Sequence, residues 1–112
     1  MNAQARAGGE SVGQLNTAIK TVAASGTPER VSSTHIFFRS ATFYGKNAAR
    51  TNNTGIVWLG LTSTNDAQHI EIGPGGIWVI TAPRGMVLDL YDFYLDVATN
   101  DDGVLVEYDS LK

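Results

Sequence analysis

From Gly26 onward the chain is a succession of short runs of β-favouring residues, each stopped by glycine, proline, asparagine or aspartate. Gly26-Thr27-Pro28 marks a turn, and the stretch from His35 to Tyr44 is rich in aromatic and other β-favouring residues. That stretch is long enough for a strand that bends or bulges midway. A polar loop follows from Gly45, through Asn52-Asn53-Thr54-Gly55. Residues 56–61 form a continuous apolar run, and residues 68–72 alternate polar with apolar, as a half-buried strand does. Gly73-Pro74-Gly75-Gly76 is a turn, residues 77–81 are a strand, and Pro83-Arg84-Gly85 turns again. Residues 87–90 lead into a strand at 93–97. Asn100-Asp101-Asp102-Gly103 reads as a hairpin-type turn, with Asp102-Gly103 suited to positive φ, before a last alternating strand at 104–108. These seven or eight short strands, with no helical segment between them, predict a sandwich or barrel with antiparallel pairing, and an antiparallel β-sandwich is the fold expected here.

The first 16 residues read differently. Alanine, glycine, glutamine, asparagine and serine dominate them, and such a stretch cannot bury enough apolar surface to offset its own ordering entropy. They are expected to form an N-terminal arm, with the β-domain spanning residues 17–112. A strand at about 17–24 would follow the arm. A short helix is the other reading, because Val12, Leu15, Ile19 and Val22 recur at 3-4-3 spacing, although Gly13, Thr17 and Thr21 disfavour it.

A chain of 112 residues supports one core, and 43% hydrophobic content excludes a disordered polypeptide. With no cysteine, disulfides, thiol catalysis and cysteine zinc sites are excluded. The first ten residues lack the apolar stretch of a signal peptide, and no apolar run is long enough to span a membrane. Charge is unevenly placed. Residues 1–56 carry six basic and two acidic groups, net +4, and residues 57–112 carry two basic and nine acidic groups, net −7. An acidic domain without a basic run excludes free nucleic acid as the expected partner. The charged share is only 17%, which points to surface covered by a partner rather than by water.

No catalytic constellation emerges. Gly73-Pro74-Gly75-Gly76 lacks the lysine and the following helix of a phosphate-binding loop. His35 and His69 are the only histidines, lie in separate strands, and have no Gly-x-Ser-x-Gly nucleophile to serve. Asp89, Asp92, Asp96, Asp101 and Asp102 cluster in sequence without calcium-loop spacing, so solvated charges or a partner's arginine are expected in place of Ca²⁺. No catalytic, cofactor or metal residue is therefore assigned.

The remaining candidates are interface residues. Both faces of the strands bearing Phe37, Trp58 and Trp78 are apolar, and a strand apolar on both sides is covered on both sides. A small sandwich has one inner side, so the second face should meet another subunit. The interface set is Arg6, Val12 and Leu15 in the arm, Phe37, Arg39, Trp58 and Trp78 on the strands, and Asp92 and Asp96, which would share a strand face. The aromatics could alternatively form a carbohydrate platform on Trp58 or Trp78. Deleting residues 2–16 is expected to leave the β-domain folded.

The order of several segments resembles a known group. Ala23-Ala24-Ser25-Gly26-Thr27-Pro28-Glu29-Arg30-Val31-Ser32-Ser33 precedes Ile36-Phe37-Phe38-Arg39-Ser40-Ala41-Thr42-Phe43. Asn53-Thr54-Gly55-Ile56-Val57-Trp58-Leu59-Gly60, Ile72-Gly73-Pro74-Gly75-Gly76 and Leu90-Tyr91-Asp92-Phe93-Tyr94-Leu95-Asp96-Val97 follow, and Asp101-Asp102-Gly103-Val104-Leu105-Val106-Glu107-Tyr108 closes the series. Over residues 19–108 this resembles small virion proteins of tailed bacteriophages. The resemblance implies a β-sandwich or jelly-roll-like module of heads, necks, tails or fibres, with no enzymatic activity and no cofactor. It implies a capsid decoration (cement) protein on the virion surface, made in the host cytoplasm. The implied partner is the phage major capsid protein, and the implied assembly is a homotrimer.

Overall fold

A computed structural model describes the backbone of residues 3–7 and 11–110 and the side chains of residues 15–110. The chain is all-β and antiparallel. Its strands are β1 (Ala3–Ala7), β2 (Ser11–Thr21), β3 (Glu29–Arg30), β4 (Phe37–Tyr44), β5 (Lys46–Ala48), β6 (Thr51–Asn52), β7 (Val57–Gly60), β8 (Ile70–Ile72), β9 (Ile77–Thr81), β10 (Leu88–Asp89), β11 (Tyr94–Val97) and β12 (Gly103–Ser110). A 3₁₀ turn at Leu90–Asp92 links β10 to β11.

The larger sheet has the order β1-β2-β12-β4, and β4 pairs on its other edge with β9 and β10. The smaller sheet has the order β3-β11-β7-β8. Directly opposed residues in antiparallel strands share a face. In the larger sheet the register Ala18↔Val106↔Phe43↔Trp78 therefore forms one inward row, with Tyr108↔Ala41↔Ile80 beside it. The smaller sheet answers with Leu95↔Leu59↔Ile70 and Val97↔Val57↔Ile72. Phe93 joins the layers, its ring centroid 5.6 Å from Phe43 and 6.2 Å from Phe38. Phe38, Phe43, Val57, Leu59, Leu95, Val97, Val104 and Val106 are fully buried, each stabilising the fold by about 1.5–3 kcal/mol relative to exposure.

The stretch around β4 does bulge midway. Tyr108 opposes Ala41 while Ser110 opposes Phe38, so β4 uses one more residue than β12 over this span. The backbone N–H groups of Arg39 and Ser40 both donate to Asp109 Oδ1, at 2.8 and 2.7 Å. The carboxylate thus supplies the acceptor that the interrupted ladder removes.

The N-terminal reading changes. The strand expected at 17–24 starts at Ser11 and ends at Thr21, so the boundary expected at residue 16 falls inside β2. β1 pairs with β2 from Ala3↔Leu15 to Ala7↔Ser11, so these arm residues are laddered, and the helical alternative does not occur. The 3-4-3 spacing misleads because β2 presents Leu15, Thr17 and Ile19 on the outer face. The polar or small Asn16, Ala18 and Lys20 lie opposite inner-face residues of β12.

The 100–103 turn is also built differently. The positive φ belongs to Asp101, at 70°, and not to the Asp102-Gly103 pair. Gly103 is required by close approach: a Cβ there would lie 2.0 Å from the Lys20 carbonyl oxygen across the β2–β12 ladder. Asp102, 2% exposed, accepts from the Thr54 amide and, at 2.7 Å, from the Gly55 amide. The polar 45–55 loop is thereby tied to the start of β12.

Candidate functional site

Three surfaces carry the chemistry available to this chain. The first is the outer face of the larger sheet. The register Ile19↔Leu105↔Tyr44↔Ile77 sets four apolar or aromatic side chains in one row across β2, β12, β4 and β9. Val79 opposes Thr42 in the next row, and Leu15 opposes Asp109 in the third. Ile77 and Val79 are 63% and 58% exposed, and Leu15 and Ile19 are nearly half exposed. Polar groups among them are engaged with one another. The Tyr44 hydroxyl donates to Glu107 at 2.5 Å. That hydrogen bond, aided by burial and the carboxylate's charge, pushes the phenol above its ordinary pKa. Tyr44 therefore stays neutral near pH 7, and the row carries no phenolate. A shallow groove of about 580 Å³ runs along this side between Leu15, Thr17, Ser40, Thr42, Glu107 and Asp109.

The second surface lies on the outside of the smaller sheet. Asp96, Trp58 and Glu71 are directly opposed on β11, β7 and β8. Trp58 Nε1 is 3.4 Å from Glu71 Oε2. With Asp66, Gln68 and His69 these residues line a cleft of about 290 Å³. Asp66 holds φ at 64°, a left-handed conformation tolerated by Asp and Asn.

The third is a column of rings at one end of the sandwich. The His35 ring stacks parallel to Phe37 at 6.2 Å and lies 4.2 Å from Tyr91, and the Arg30 guanidinium sits 3.7 Å from the ring centre of Tyr91 and 4.8 Å from that of Tyr94. Asp89 anchors it, with Oδ2 2.6 Å from His35 Nδ1 and Oδ1 accepting the Ile36 and Tyr91 amides at 2.9 and 3.0 Å. Burial works to raise the Asp89 pKa. The hydrogen bonds from His35, Tyr91 and Ile36 outweigh it and hold the carboxyl below its ordinary value. This arrangement orients His35, but no nucleophile hydrogen-bonds to the ring among the described residues, so it is a positioned imidazole and not a catalytic triad.

The nine expected interface residues scatter over these surfaces. Leu15 is on the outer face of the larger sheet, and Phe37 and Arg39 are exposed on the bulged part of β4. Arg6 and Val12 are register partners in β1 and β2, and their side chains lie outside the described residues. The two tryptophans part company. Trp58 is on an outer face, whereas Trp78 is on an inner row with its ring 5.7 Å from Phe43, so Trp78 serves the core. Asp92 is exposed, but it lies in the 3₁₀ turn and shares no strand face with Asp96. Asp96 is 4% exposed, and its Oδ1 accepts the Gly26 and Val97 amides at 2.9 and 2.8 Å. Its carboxylate closes the 26–28 turn against β11, which explains its place in an apolar strand.

Sequence reasoning expected a second apolar face on the Trp78 strand but missed the row in which Ile19, Leu105 and Tyr44 extend it, since only the pairing register aligns them. It also missed the ring column, whose members lie on three separated segments. Among the described residues, no three His, Cys, Asp or Glu side chains are grouped to hold a metal ion, and no helix is long and apolar enough to cross a membrane. No protein-family profile, curated protein or solved structure matches the chain.

Proposed function

We propose that the chain is a non-enzymatic structural protein of a bacteriophage virion, a jelly-roll-like decoration (cement) protein that binds between capsid subunits on the head surface. The observation that supports this reading best is the outer-face row Ile19–Leu105–Tyr44–Ile77, exposed at Ile19 and Ile77 and accompanied by exposed Val79 and Leu15. A monomeric soluble domain rarely leaves contiguous apolar surface on a flat sheet, and such patches mark contact sites. Cementing requires no reaction. It requires contacts present only in the assembled shell, which stabilise that shell by mass action. The phage resemblance over residues 19–108 supplies the partner, the major capsid protein, and the homotrimeric assembly.

The test is decoration of particles lacking this protein by wild-type chain and by the Ile77→Lys, Val79→Lys double variant. The wild type is expected to bind and raise the heat resistance of the shells, and the folded double variant to do neither. Equal binding by both would remove the sheet face from the reading, and absence of binding by the wild type would remove the reading itself.

A second reading, a tail, neck or fibre module with a carbohydrate-binding role, is favoured by one observation. Trp58 is presented on the outside of the smaller sheet beside polar side chains. Trp78, as a core residue, contributes nothing to it. A glycan array with wild type and Trp58→Ala separates the readings.

A further inference from the structure

The cleft around Trp58 has an unusual inventory. Its lining contains three carboxylate residues, Asp66, Glu71 and Asp96, and no lysine or arginine. The indole stands between two of them, because Asp96, Trp58 and Glu71 are opposed residues of three adjacent strands. Its Nε1–H faces Glu71, so the groups left to a guest are the indole face, the exposed Asp66 and Glu71 carboxylates and the His69 ring. Gln68 closes the wall of the cleft. It is 4% exposed, and its Nε2 donates to the carbonyls of Thr62 and Thr64, while its Oε1 is buried without a hydrogen-bond partner.

A guest for this cleft must bring donors and positive charge. A metal ion does not fit, since the carboxylates are not grouped to coordinate one. A neutral sugar matches the indole, but it needs donors as well as acceptors from the protein, and the cleft is acceptor-rich. A planar guanidinium satisfies each feature: it stacks on tryptophan, donates in several directions, and neutralises carboxylates.

We infer that the Trp58 cleft is a receptor for an arginine side chain presented by a partner protein. The carboxylates of Glu71 and Asp66 receive the guanidinium, and the Trp58 ring supports its face. The inference stands independently of the virion reading, because it concerns the isolated chain and one cleft, whereas that reading is tested on particles.

The experiment is an NMR titration of the full chain, following the indole Nε1–H signals of Trp58 and Trp78. The probes are N-acetylarginine amide and a short oligo-arginine peptide, with calcium chloride and a methyl glycoside run in parallel. The Trp58 signal is expected to shift saturably with both arginine probes, with dissociation constants on the order of millimolar for the single residue. The Trp78 signal is expected to remain still. The pair Asp66→Asn and Glu71→Gln should weaken binding by about tenfold or more. Both substitutions sit at exposed positions, and asparagine tolerates the Asp66 backbone, so the variant remains folded. The inference is overturned by no saturable shift at about 50 mM arginine amide, or by unchanged affinity in the double variant. Saturation by the glycoside or by calcium in place of arginine would also overturn it.

Discussion

Asn53 and Gly103, fifty residues apart, are joined as if they were opposed in a β-ladder: Asn53 Nδ2 donates to the Gly103 carbonyl at 2.7 Å, and the Gly103 N–H returns a bond to Asn53 Oδ1 at 3.0 Å. A side-chain amide here substitutes for a strand. Both residues are buried, so neither bond can be replaced by water.

Asn53→Ala should therefore be among the most damaging single changes. It leaves the Gly103 N–H and carbonyl unpaired, at about 1–3 kcal/mol for each orphaned group. The expected loss is about 2–4 kcal/mol, read as a lower urea midpoint with an unchanged slope. Asn53→Ala with no loss of midpoint would show that the tie contributes nothing.

Two glycines separate backbone conformation from space. Gly103→Ala places a methyl 2.0 Å from the Lys20 carbonyl oxygen, so β2 and β12 must part, and a loss of about 3 kcal/mol or more is expected. Gly26→Ala meets no atom within 4 Å but forces alanine into φ of 86°, for a loss of about 1 kcal/mol. Thermal unfolding of the two variants should rank them in that order.

Asp89 gives a pH dependence with a defined sign. Its folded-state pKa is below the unfolded value of about 3.8, so its contribution is complete above that value and is lost as pH falls through the folded one. Asp89→Asn should lower the melting temperature at pH 7, and the difference from wild type should shrink below pH ~4. A difference that stayed constant into acid would assign the effect to shape and not to charge.

Truncation distinguishes the two parts of the N-terminal region. Removing residues 2–16 deletes the Tyr108↔Asn16, Asp109↔Leu15 and Ser110↔Gln14 pairs and the 2.6 Å Asn16–Ser110 hydrogen bond. It should cost about 2 kcal/mol or more while leaving the domain folded, although no core strand was expected there from sequence. Removing residues 2–10 spares those pairs, deletes only the five β1–β2 pairs at the sheet edge, and should cost less than the longer truncation. Denaturant midpoints of the two truncations decide.

The all-β class, the turn at 73–76 and the strand at 77–81 were legible because alternation and glycine-rich turns encode them locally. The bulge in β4 was legible from strand length alone. The roles of Asp96, Asp102 and Asp109 were not. Each lies next to apolar strand residues and looks like a surface charge, yet each accepts backbone amides from a segment more than forty residues away. The faces of the tryptophan strands were equally hidden. Both strands are apolar on both sides, so only the pairing register distinguishes the outward Trp58 from the inward Trp78.

The extra residue in β4 acts as a phase inverter. Counting back from Phe43 and Ala41 by twos would turn Phe37 inward and Phe38 outward, but Phe38 is fully buried and Phe37 is half exposed. Asp109 holds the inversion in place through two amides. The ring column beginning at Phe37 and His35 therefore exists on the surface because a carboxylate on the neighbouring strand fixes the parity of this one.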